Sequence, residues 1–176
     1  MPRLVDQMQE ALSAFADVKT PPALIGGLAL AVHHVVRATR DIDFLVDADD
    51  ADRLHTIMLA LGYDCVHRSE DAANYLRGDE GLDLLYARRP ESMQLLLGAP
   101  EHQTGMGRLR VVDAEGLIGF KLQAHVNDPR RLRDVDDIRE LMRTNRESLD
   151  LQQVRRYFVL FNREAMLNDI LDELST

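Results

Sequence analysis

The chain is predicted to be an α/β protein with a helical C-terminal part. Three observations carry this. Ala23–Ile25 is a short apolar run, and Asp41 to Val46 alternates with period two as a strand does. Between them, Leu28, Val32, Val35 and Val36 recur at helical spacing. Two more strand-like runs flank Gly78-Asp79-Glu80-Gly81, and beyond Asp113 the pattern is helical throughout. Residues 1–113 are therefore expected to form the core, and residues 114–176 a helical region packed on it.

Taken in order, Leu4 to Val18 reads as a packing helix, stopped by Lys19-Thr-Pro-Pro because proline disfavours helix in the residue before it. The unit Pro22 to Asp47 follows: strand, Gly26-Gly27, helix, strand. Asp49-Asp50 is expected to cap a helix running through Leu61, with Gly62 as its stop. A strand is expected near Tyr63 to His67, then strands at Asn74–Arg77 and Leu82–Tyr86, then a short helix from Pro90 to Leu97. Residues 98–107 read as a loop, and Leu109 to Val112 as a strand. Asp113 caps the next helix, Ala114 to Val126. Helices from Leu132, lined by Val135, Ile138, Leu141 and Met142, and two more from Ser148 complete the chain.

Composition bounds the function. With 176 residues and 45% apolar content the chain can bury a real core. Its net charge of −9 argues against a general coat for polyanions. Six arginines between residues 128 and 147 are cancelled by six acids, so an RNA groove is not indicated there. Cys65 stands alone and forms no internal disulfide, and no zinc spacing appears among the histidines. No signal-like or membrane-spanning segment is read, so a cytoplasmic protein is expected.

Period two puts Asp41 and Asp43 on one face of their strand and Ile42, Phe44 and Val46 on the other. Two acids on one face make poor core and a good seat for a hard cation. Two glycines before a helix let backbone N–H groups approach a phosphate. Mg²⁺ is often shared between carboxylates and substrate phosphates, so one unit can hold both the metal and the triphosphate of a nucleotide. Asp83 is a further misfit: an acid in an otherwise apolar strand needs a partner or a metal. So is Lys121. At about 100° per residue it falls between Leu117 and Ile118 in an apolar arc. Asp134 falls between Leu141 and Ile138 on the next helix. A buried Lys121–Asp134 pair joining two helices, or a role at an anion, satisfies both.

Gly26-Gly27, a helix, and then Thr39-Arg40-Asp41-Ile42-Asp43 resemble the signature of the nucleotidyltransferase (polymerase-beta-like) superfamily. In particular they resemble small AbiEii-type bacterial nucleotidyltransferases, many of them toxins of toxin–antitoxin pairs. The resemblance covers residues 20–142. It implies a nucleotidyltransferase-like mixed sheet flanked by helices. It also implies that Asp83 is the third carboxylate beside Asp41 and Asp43, with Asp79 and Glu80 as fallback candidates, and that these hold two Mg²⁺ ions. Gly26, Gly27 and Lys121 would bind the phosphates of an NTP such as ATP. Asp134 would orient that lysine, since Lys121, Arg133-Asp134 and Asp137 resemble the family's Lys…Arg-Asp…Asp order, with Arg130 or Arg131 as its intervening basic residue. Arg40 either contacts phosphate or offsets the repulsion among the acids. The implied reaction moves an NMP to a hydroxyl of a tRNA 3′ end or a protein, with an antitoxin as a candidate partner. Two alternatives stand beside it: a small-molecule adenylyltransferase of the antibiotic type, and a non-catalytic module that keeps the fold.

Overall fold

The computed structural model describes residues 2–175. It divides into two compact units. One holds the chain to Val32 together with Arg37–Val112; the other holds His33–Val36 and the chain from Asp113 onward. Among the described residues, no helix is long and apolar enough to cross a membrane.

The first unit runs α1 (Pro2–Ala14), β1 (Ala23–Ile25), α2 (Gly26–Val32), β2 (Ile42–Asp47), α3 (Ala51–Ala60), β3 (Asp64–Arg68), β4 (Ala72–Arg77), β5 (Glu80–Ala87), α4 (Pro90–Gly98), β6 (Glu101–Thr104) and β7 (Gly107–Arg110). Five strands make a mixed sheet in the order β1-β2-β5-β4-β3. β2 and β5 are parallel; the other neighbours are antiparallel. One face carries Ile42, Phe44, Leu82, Leu84, Ala73 and Tyr75, all buried. Helix α3 and the turn just after α1 cover it: Phe15, one residue past the end of α1, meets the Phe44 ring edge-on, and His55 Nδ1 of α3 lies 3.0 Å from the Tyr75 hydroxyl. Burying such apolar area at about 25 cal/mol per Å² is what holds this layer together. The opposite face carries Asp41, Asp43 and Asp83.

Several elements differ from the expected ones, each for a local reason. Helix α2 has seven residues and ends at Val32; His34 takes a positive φ of 65°, and Val36 is 87% exposed rather than inward. Helix α1 stops at Ala14, short of the expected Val18. Asp50 does not cap α3 with its side chain. Asp47 instead accepts from the Asp49 N–H at 3.0 Å and starts a single 3₁₀ turn, Ala48–Asp50. The buried Asp50 carboxylate accepts the backbone N–H groups of Lys19 and Thr20 and so fastens the loop before β1. The stretch expected to be a loop holds β6, whose residues are only half covered and so lack an apolar alternation.

The second unit contains α5 (Ala114–Asn127), α6 (Leu132–Thr144), α7 (Leu151–Leu160) and α8 (Glu164–Glu173). Asp113 caps α5, its carboxylate accepting the Gly116 N–H at 2.7 Å, as its position before an apolar-periodic run predicts. Asp150 does the same for α7. Val154, Phe158, Leu167 and Ile170 are buried. Gly119 lets α7 come close: a Cβ there would lie 3.2 Å from the Tyr157 ring. Asn145 donates to the carbonyls of Leu141 and His33, which ties the segment 33–36 to this unit.

Candidate active site

The register of β2 against β5 builds the site. Asp43 stands directly opposite Asp83, and Ile42 opposite Leu82, so Asp41 lies beside Gly81. Side chains of paired residues project to the same face. Asp41, Asp43 and Asp83 therefore share one face of two adjacent strands although 40 residues of chain separate Asp43 from Asp83. The row continues outward, with Asn74 of β4 opposite Asp83 and His67 of β3 opposite Asn74. Asp79 and Glu80 are engaged elsewhere. Asp79 pairs with Arg3 at 2.6 Å, and Glu80 with Arg77 at 2.7 Å and Arg3 at 3.0 Å.

Glycines make room for the carboxylates. Gly26 has φ +66°, and a Cβ on it would lie 2.0 Å from Asp43 Oδ2. A Cβ on Gly81 would lie 2.2 Å from Asp41 Oδ1. No side chain fits at either position without moving an acid. Gly27 is pressed from the other side, since a Cβ there would come within 2.8 Å of the Thr39 side chain and 3.3 Å of the Arg37 guanidinium. Arg40 is exposed. The cation lying over the glycine turn is thus Arg37, which the sequence reading did not single out. Gly81 and Asn74 were also missed; both are visible only once strand register is known.

Burial pushes the Asp83 carboxyl above its ordinary range; a hydrogen bond from Asn74 opposes this, and the Asp41 charge adds to it. An acid crowded by another acid and partly withdrawn from water is stabilised by a cation. Among the described residues, no three His, Cys, Asp or Glu side chains are gathered closely enough to hold an ion by themselves. The facing pair Asp43 and Asp83, with Asp41 one step along, nonetheless fits Mg²⁺. That ion commonly takes one or two carboxylates and completes its shell with water and substrate phosphates.

In the helical unit the inward lysine meets the inward acid. Lys121 Nζ lies 2.9 Å from Asp134 Oδ1 and 2.8 Å from Asp137 Oδ2, and Arg131 Nε lies 2.6 Å from Asp134 Oδ2. The Lys121 side chain is 11% exposed and the two acids less. Burial alone would raise the Asp134 carboxyl, but hydrogen bonds from Arg131 and Lys121 outweigh it and hold Asp134 below its ordinary range. The helical angles foresaw the pair with Asp134; Asp137 makes it a triad.

A family model described as "uncharacterised nucleotidyltransferase" matches residues 3–96. No curated protein matches the chain in sequence. Among solved structures, the antibiotic-resistance factor ANT(2'')-Ia is 20% identical over 98% of each chain, with a TM-score of 0.68. A lincosamide antibiotic adenylyltransferase, LnuA, bound to lincomycin, is 17% identical over 77% of this chain and 94% of its own, with a TM-score of 0.57. An antigenic nucleotidyltransferase-like protein from Paracoccidioides brasiliensis is 15% identical over 97% and 93%, with a TM-score of 0.56. At these identities the likeness is one of fold, and the fold is that of nucleotidyltransferases.

Proposed function

The chain belongs to this nucleotidyltransferase family, and from that premise we propose that it moves an NMP from an NTP to a hydroxyl acceptor, using Asp41, Asp43 and Asp83. The observation that supports this reading best is the facing of Asp43 and Asp83 on parallel strands, with Gly26 directly beneath the Asp43 carboxylate. The acceptor oxygen attacks the α-phosphorus in line. A P–O bond to the acceptor forms, the bond to the α–β bridging oxygen breaks, and pyrophosphate leaves with that electron pair. The hydroxyl proton passes to Asp83, directly or through water. Asp41, Asp43 and Asp83 would hold Mg²⁺, which would supply charge neutralisation on the entering and leaving oxygens. Gly26 and Gly27 enter as the phosphate-binding turn through the resemblance. A helix of seven residues has a weak dipole, so close approach and the Arg37 guanidinium are the stronger supports. Arg40, exposed beside Asp41, either contacts the same phosphates or offsets the repulsion among the acids. Lys121 and Asp134 enter as nucleotide-binding residues through the resemblance, and their ion pair supports Asp134 as the group that orients the lysine.

Two acceptor readings follow. The AbiEii-type resemblance favours a cytoplasmic toxin acting on a tRNA 3′ end or a protein hydroxyl, with an antitoxin as a candidate partner. The fold neighbours favour a small molecule: one is an ANT(2'')-Ia complex with adenylyl-2"-tobramycin. A non-catalytic module would instead bind Mg²⁺·NTP without turnover. The test is incubation with each radiolabelled NTP, Mg²⁺ and total cell extract. Asp41→Ala and Asp43→Ala are expected to lower labelling at least 100-fold while circular dichroism stays unchanged. Full labelling by both variants would end the mechanism.

A further inference from the structure

The carboxylate row divides its face of the sheet into two sides of unlike charge. On the β1 side stand the glycine turn and Arg37. On the other side the register names these residues on the face: Asp64 and His67 on β3, Ala72, Asn74 and Leu76 on β4, Gly81, Asp83, Leu85 and Ala87 on β5. None of these is Lys or Arg. The arginines of these strands belong to the opposite face, where Arg77 pairs with Glu10 of α1 and Arg68 with Asp52 of α3. The wing is also open. Leu76 is 43% exposed, and His67 and Asp64 are exposed. Val66, at the bulge between Cys65 and His67, is 65% exposed.

We infer that this β4–β3 wing seats the acceptor, and that the acceptor is a small hydroxyl compound without phosphate, neutral or amine-bearing. The inference rests on the nucleotidyl-transfer reading above. In-line displacement puts the attacking oxygen opposite the departing pyrophosphate. With the phosphates over the glycine turn and Arg37, the attack comes from beyond Asp83, over Asn74. A nucleic-acid acceptor draws most of its affinity from Lys and Arg on its phosphates. The wing offers it none and offers Asp64 instead. Leu76 supplies an apolar floor for a carbon skeleton, Asn74 and His67 supply hydrogen bonds to hydroxyls or amines, and Asp64 supplies a partner for an ammonium.

The test separates a cell extract into RNA, protein, an anionic small-molecule fraction retained on an anion exchanger, and a small-molecule fraction that is not retained. Each is incubated with the chain, Mg²⁺ and α-labelled NTPs, and release of pyrophosphate is followed in parallel. Label is expected in the unretained small molecules. Leu76→Arg, at a half-exposed site where the melting curve should be kept, is expected to lower that labelling at least tenfold. Label in RNA, protein or the anionic fraction, or in no fraction while pyrophosphate is still released, overturns the inference. So does undiminished labelling by Leu76→Arg. Absence of pyrophosphate release from every mixture strikes the nucleotidyl-transfer reading itself, and the inference with it.

Discussion

Gly81 shows how much of this site is carried by residues with no chemistry of their own. Its missing side chain is the space the Asp41 carboxylate occupies. Gly81→Ala leaves β5 with an acceptable strand residue, yet a methyl 2.2 Å from Asp41 Oδ1 must push that carboxylate aside. A displacement near 1 Å costs on the order of 100-fold in rate. Steady-state transfer is therefore expected to fall by about that factor, with the far-ultraviolet spectrum unchanged; a variant as fast as the parent would show that Asp41 needs no such seat. Asp83 gives the complementary case. Its folded-state pKa is raised above the unfolded value. The stability linked to it is therefore complete below the unfolded carboxyl range and is lost as pH rises through the folded value. At neutral pH the ionised carboxylate is a net cost. In metal-free buffer Asp83→Asn should melt above the parent at pH 7, and the gain should vanish below about pH 4. A lower melting point at pH 7 would mean that the Asp83 charge is compensated in the resting protein. Period two, a local property, put Asp41 and Asp43 on one face and marked Asp83 as a misfit in an apolar strand, while its place beside them was implied only by the resemblance. Gly81, Asn74 and Arg37 were not legible, since β5 meets β2 and β4 through a register that no local pattern encodes.

Elements were legible where apolar periodicity and capping agreed, and obscure where they did not. Helix α5 was foreseen from Asp113 and its apolar arc. β6 was not, because a half-covered hairpin strand reading Glu-His-Gln-Thr carries no alternation. The α5–α6 junction combines both lessons: helical angles brought Lys121 and Asp134 inward, while the second acid, Asp137, was recognised only by the family resemblance. Removing Lys121 leaves two carboxylates, 4% and 6% exposed, without their shared ammonium. Breaking a buried ion pair from one side typically costs about 3–5 kcal/mol. Lys121→Met is expected to lose stability of about that size in urea melts. Adding Asp134→Asn and Asp137→Asn should recover much of it. NTP affinity measured on the recovered triple variant then isolates the binding role: affinity equal to the parent's leaves the triad as a structural pin, and a weaker one assigns it to the nucleotide.

At the scale of the whole molecule, charge sets the terms on which a nucleotide can approach. The chain carries −9 and presents three carboxylates on the face where a polyanionic triphosphate is expected to lie. Arg37 beside the glycine turn and the exposed Arg40 do not offset that repulsion by themselves. The acidity that argued against nucleic-acid coating in the composition therefore becomes a prediction about the site: NTP binding is expected to be conditional on a divalent ion. Calorimetric titration with ATP is expected to show saturable binding in Mg²⁺ and at least tenfold weaker binding in EDTA. Ca²⁺, which also takes carboxylate and phosphate oxygens, should restore binding because it relieves the same repulsion. Asp43→Asn removes one negative charge from the site. It should narrow the gap between Mg²⁺ and EDTA by weakening the first and strengthening the second. Equal affinity in Mg²⁺ and EDTA for the parent would show that Arg37 and Arg40 suffice. It would move the nucleotide away from the carboxylate row altogether.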